Sequence, residues 1–135
     1  MSDLKRSRQS CQFVDDTRQD CLALMRERRW DEAAETATLA MRARPKERLW
    51  PILAARAYSA AGRHAKAMAM AACASVLPVA DGDGIDTAEI WRFLGLQALL
   101  DNDRPAAIHA LEQTIRFNPD AHDARMSLGL ALYGP

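Results

Sequence analysis

Residues 88–121, AEIWRFLGLQALLDNDRPAAIHALEQTIRFNPDA, constrain the fold of this chain more than any other stretch. Trp91, Leu94 and Ala98 stand at i, i+3 and i+7, on one face of a helix. Gly95 carries no side chain, so a neighbouring helix can approach its backbone closely. Ala107 has the same role on a second helix, which opens at Arg104-Pro105 with proline near its first position. Asn118-Pro119 closes that helix, because a residue before proline avoids the α region.

The rest of the chain repeats the pattern. Ala33 and Ala67 are 34 residues apart, as are Leu24 and Tyr58, and as are Leu94-Gly95 and Leu128-Gly129. Ala33-x3-Ala37, Ala40 and Pro45 outline one second helix; Ala67-x3-Ala71, Ala74 and Pro78 outline the next. Residues 67–74 are almost all small or Met, so two neighbours can pack closely on them. The interval from Ala67 to Ala107 is 40, which places an insertion at residues 82–87. Asp86-Thr87-Ala88-Glu89 then reads as an N-cap with an acid three residues on. Three repeats are expected at about 14–47, 48–81 and 88–121, with a half repeat at 122–135. A basic tail, residues 1–13, with Lys5, Arg6 and Arg8, precedes them.

Trp91, Leu94, Gly95, Ala107 and Pro119 match the signature of 34-residue helix–turn–helix units, with Ala98 where Tyr is usual and Leu111 where Phe is usual. The chain resembles a tetratricopeptide-repeat (TPR) protein over about residues 14–135. Trp30-Asp31-Glu32-Ala33 looks like the start of a TPR second helix. The first repeat departs from the pattern, with Asp20 and Cys21 where Leu-Gly is usual. The resemblance implies an all-α, right-handed solenoid of three repeats plus one C-terminal helix, seven helices in all.

Composition agrees. A chain of 135 residues is one ordinary domain; it is 49% hydrophobic but only 6% aromatic, with much of the apolar content alanine. That favours closely packed helices over sheets, which want β-branched and aromatic residues. Eighteen basic and eighteen acidic residues balance, against the basic excess of nucleic-acid binders. No apolar run suits a signal peptide or a membrane span, so a cytoplasmic protein is expected.

Little in the chain points to catalysis or a metal. Asp81-Gly82-Asp83-Gly84 fails as a calcium loop, because Ile85 and Arg92 fall where the fifth-position oxygen ligand and the twelfth-position Glu belong. His64, His109 and His122 share no helix face. Cys11, Cys21 and Cys73 lack CxxC spacing and a predictable His partner, so each reads as packing or surface. No cofactor is expected, and no enzyme.

What remains is surface for a protein or peptide partner. By resemblance the first helix of each repeat lines a concave groove. That assigns Arg18, Leu22 and Met25 from repeat one, Leu49, Ile52 and Arg56 from repeat two, and Arg92, Phe93 and Leu96 from repeat three. Arg18, Arg56 and Arg92 would flank an apolar trough, where they would grip acidic groups or simply be solvated. Co-chaperones that hold a Glu-Glu-Val-Asp tail use Lys, Asn, Asn, Lys and Arg; here the positions carry Arg18, Leu22, Leu53, Glu89 and Phe93, which argues against that ligand. Size and groove character are similar to the small TPR chaperones of bacterial type III secretion. Two alternatives stay open: a structural assembly subunit, or an accessory partner of an enzyme. Met126, Leu128, Leu130 and Leu132 make the last helix apolar on more than one face, which suits docking on a second copy or another chain.

Overall fold

The structure, a computed structural model, describes residues 15–79 and 84–133. The basic tail with Cys11, and most of the Asp81–Gly84 stretch, lie outside them. Among the described residues there are seven helices and no strand. Helix α1 is described over 15–26. It is followed by α2 (Trp30–Ala43), α3 (Leu49–Ala60), α4 (His64–Val76), α5 (Thr87–Leu100), α6 (Arg104–Phe117) and α7 (His122–Tyr133). From α2 onward each helix packs on the next in sequence. This is the all-α solenoid that the 34-residue period predicts.

The period is written into the backbone. Arg28, Gly62 and Asn102 all take the left-handed conformation, with φ of 61°, 79° and 58°. They follow α1, α3 and α5 at intervals of 34 and 40. After each, the next residue donates its N–H five positions back: Arg29 to Leu24 O at 2.9 Å, Arg63 to Tyr58 O at 2.8 Å, Asp103 to Ala98 O at 2.8 Å. One turn is therefore built three times. The six-to-one hydrogen bond satisfies a carbonyl that the helix end leaves bare. Glycine at the middle turn adopts this shape freely, whereas Arg28 and Asn102 carry the left-handed strain of a side chain, of order 1–2 kcal/mol.

Helix α6 starts at Arg104, as Pro105 near its first position predicts. Arg48 and Arg63 are the N-caps of α3 and α4. Asp86 caps α5, accepting from the Ala88 N–H at 3.0 Å. The acid three residues on does not complete a capping box: Glu89 pairs with Arg92 at 3.5 Å. Asp103 caps α6 by accepting from the Ala106 N–H at 3.2 Å.

The core is mostly alanine. Ala33, Ala37 and Ala40 on α2, Ala67, Ala71 and Ala74 on α4, and Ala107 and Ala110 on α6 are buried at helical spacing. On α4 only every third or fourth small residue is enclosed; Ala69, Ala72 and Cys73 are exposed. At Gly95 the helices approach closely: a Cβ there would sit 3.0 Å from Leu111 Cγ and Cδ2 on α6. Thr114, fully enclosed on α6, satisfies its hydroxyl by donating to Ala110 O at 2.9 Å. The largest enclosed side chain is Trp50, in a cluster with Cys21, Ala37, Ala40, Leu53 and Ala54. Among the described residues no helix is long and apolar enough to cross a membrane.

Cys21 occupies the first repeat's equivalent of Gly95. It is completely buried, with Sγ 3.6 Å from Ala33 O on α2. Burial first, and the nearby Asp20 carboxylate second, push its thiol up to about 11. The raised value means that Cys21 favours folding below the unfolded value near 9, and that this contribution is lost as pH rises towards 11. In a Cys11→Ser/Cys73→Ser chain, iodoacetamide at pH 8 should label Cys21 about 100-fold more slowly in buffer than in urea, by the thiolate fraction alone. Equal rates, read by mass spectrometry, would place Cys21 at the surface.

Candidate interaction groove

The first helices of the second and third repeats, α3 and α5, lie side by side with a cavity of about 370 Å³ between them. Helix α3 contributes Ile52, Ala55 and Arg56, and α4 places Ala71 at the back. Helix α5 supplies Glu89, Ile90, Arg92, Phe93 and Leu96. Residues three and four apart on a helix share a face, so 52 and 56, and 89, 92, 93 and 96, converge on the same space. The lining is mainly aliphatic and aromatic, with charge at its edge.

The third side of the cavity comes from the inserted loop. Gly84, Ile85 and Asp86 all line it. Arg48 holds its described end: Nη1 donates to Thr87 Oγ1 at 2.9 Å, and Nη2 to Ile85 O at 2.8 Å. Arg48 is only 2% exposed, unusual for an arginine, and a planar guanidinium suits such two-point binding. In the sequence, residues 82–87 read as a loop and nothing marks Arg48 as its partner. The six-residue departure from the period was the available signal.

The charged edge is partly neutralised from within. Arg92 Nε donates to Asp123 Oδ2 on α7 at 2.6 Å, and its Nη1 lies 3.5 Å from Glu89. The Arg92 hydrogen bond, before any other influence, holds the Asp123 carboxyl below its usual value. Arg56 is exposed on the opposite wall.

Five of the nine residues assigned to the groove by sequence line this cavity: Ile52, Arg56, Arg92, Phe93 and Leu96. Leu22 and Leu49 instead pack against the cluster around Trp50, and Met25 against Ala33, Ala34 and Ala57. Arg18 is exposed on α1 and does not line the cavity. The three arginines therefore do not form one clamp: Arg92 is engaged by two carboxylates, and only Arg56 and Arg92 reach the same space. His64 bonds through Nδ1 to Gln97 Oε1 at 2.7 Å, and His109 sits edge-on to Trp91 at 5.7 Å. Among the described residues no group of three His, Cys, Asp or Glu side chains gathers as a metal would require.

No protein-family model matches the chain. No curated protein matches it either. Solved structures do. The Sgt2 TPR domain from Aspergillus fumigatus superposes with a TM-score of 0.69 at 24% identity, over 87% of this chain and 76% of that one. The second TPR domain of human RPAP3, solved with an HSP70 peptide, SGPTIEEVD, gives 0.73 at 18% identity over 86% and 92%. The first TPR of Spaghetti (RPAP3), bound to the HSP90 peptide SRMEEVD, gives 0.70 at 17% over 86% and 87%. At these identities the likeness speaks for architecture, and with the repeated turn and the small-residue period it establishes that this chain has the fold of a tetratricopeptide-repeat domain.

Proposed function

We propose that the chain is a protein-interaction module, acting as adaptor or chaperone, that holds a peptide or helical segment of a partner between α3 and α5. The observation that carries this is the apolar cavity walled by Ile52, Ile90, Phe93 and Leu96 on two successive first helices. Two of the similar TPR structures are complexes with peptides. Those peptides end in Glu-Glu-Val-Asp, and this groove is unsuited to such a tail. Leu53, where a clamp would need a polar side chain, is buried in the core, and Glu89 repels a carboxylate. The reading involves no catalytic step. The likeness to type III secretion chaperones rests on size and groove character alone.

Ile52→Asp/Phe93→Asp tests it. Peptides selected on the wild-type protein from a random phage library should bind the double variant at least about 100-fold more weakly, as expected for two lost apolar anchors. Circular dichroism should show the helices retained. Selected peptides that bind both proteins equally would refute the groove.

A second reading is favoured by the C-terminal end. Met126 and Leu130 are each 69% exposed and Tyr133 is 88% exposed. An assembly subunit would use this face of α7 to meet another copy or a neighbouring chain. Under that reading the groove variant leaves association untouched, and light scattering shows concentration-dependent mass.

A further inference from the structure

We infer that Ile85 and Asp86, held in place by Arg48, wall the groove into a socket for one bulky apolar side chain of the bound segment, with Ile85 as a specificity-determining wall and Arg48 as its positioning residue. The inference rests on the groove reading above and adds the chemistry of the ligand's anchor.

The geometry makes the argument. A strict 34-residue repeat would carry the chain from α4 to α5 without the extra residues. Here Ile85 and Asp86 stand beside Ile52 and Phe93 in the same cavity. A volume of about 370 Å³ is near the lower end of the range of about 300–1,000 Å³ for ligand sites. A helix about 10 Å across does not fit within it, so what enters is a side chain rather than a whole element. The apolar surfaces of Ile52, Ile85, Ile90, Phe93 and Leu96 meet there, which suits an aromatic or long aliphatic group. The rim offers both signs, Arg56 on one wall and Glu89 on the other, so it does not select for net charge. Selectivity then falls to the shape of the socket, and that shape depends on where Ile85 is held. Arg48 fixes it through the backbone carbonyl of Ile85 itself and through the hydroxyl of Thr87, on either side of Asp86. Lysine at position 48 would keep the charge but lose the planar two-point grip.

The test is an amide-resolved NMR titration of the full chain with N-acetyl-tryptophanamide, and with N-acetyl-alaninamide as the small comparator. The socket predicts saturable shifts for Ile85, Ile90 and Phe93 with the tryptophan amide and none with the alanine amide. Ile85→Ser should weaken the tryptophan amide about tenfold, in line with one apolar wall removed. Arg48→Lys should weaken it comparably, with shifts confined to residues 84–87 and α3 and with the melting temperature within a few degrees of wild type. If Ile85→Ser and Arg48→Lys bind the probe as wild type does while Ile52→Asp/Phe93→Asp loses it, the socket is overturned and the groove stands. If the tryptophan amide moves none of the cavity amides, or both amides move them alike, the socket is also overturned. The phage-selected peptides then judge the groove separately.

Discussion

Trp50→Ala is expected to destabilise the protein by about 3–5 kcal/mol in urea unfolding, the range for truncating a large enclosed aromatic. Most of the enclosed residues in its cluster are small. Trp50 has no exposed surface, and Ala37, Ala40, Ala54 and Cys21 are too short to fill the space it leaves, which only Leu53 and the partly buried residues at the margin could approach. An alanine-rich core is stabilised by close approach over many short side chains, so the few large ones hold a disproportionate share of the buried area. Trp50 also ties the α2–α3 connection, donating from Nε1 to Glu47 Oε2 at 2.9 Å while Arg44 binds the other carboxylate oxygen at 3.0 Å. Total stability for a domain of this kind is about 5–15 kcal/mol, so the variant should lose a large fraction of it. Trp50→Phe separates the two contributions. It keeps most of the volume and loses the hydrogen bond, so a cost of about 1–2 kcal/mol is expected. Equal costs for the two variants would show that volume is unimportant and that the cluster is not close-packed.

Trp50 also shows where sequence reading stops. The α3 segment, LWPILAARAYSA, is apolar on nearly every face, so periodicity cannot say which side is enclosed. Tyr58 holds the usual aromatic position, and Trp50 stands one residue before Pro51, which fills the slot where tryptophan is common in the motif. The repeat itself was legible because its signals are local. Small residues at helical spacing, prolines after second helices and Leu-Gly pairs each act within a few residues, and each found its place in the helices. The cavity was legible in part. Ile52, Arg56, Arg92, Phe93 and Leu96 line it, as the register of α3 and α5 places them. Leu22, Leu49 and Met25 pack against core clusters because a helix turns about 100° per residue, and a first helix has both a cavity side and a core side. The remaining features depend on contacts far apart in sequence. Arg48 reaches Ile85 and Thr87 across 37 and 39 residues, and Arg92 reaches Asp123 across 31. Each looks like a solvated charge until the fold brings the partners together.

Gly95→Val and Gly129→Ala are expected to move stability in opposite directions, although the two glycines share one Leu-Gly motif 34 residues apart. At Gly95 the first added carbon already stands 3.0 Å from two Leu111 atoms and 3.5 Å from Ala110 Cβ. Leu111 is itself fully enclosed, so it has no solvent side to retreat to. The branched methyls of valine would push α6 from α5, with a cost of about 1–3 kcal/mol or more from overpacking. Because α6 also carries α7, the added carbon should loosen both helices, and hydrogen exchange should quicken in α5, α6 and α7 before α2. At Gly129 a Cβ meets nothing within 4 Å. There alanine gains its ordinary advantage over glycine in a helix interior, about 1 kcal/mol, with no opposing contact. Urea midpoints of the two variants, measured at equal m, decide the matter. A stabilised Gly95→Val would mean that α5 and α6 are not held at the distance the Leu111 contact requires. A destabilised Gly129→Ala would mean that the face of α7 is already covered in solution, which is the result the assembly reading of α7 requires and the monomeric groove reading does not.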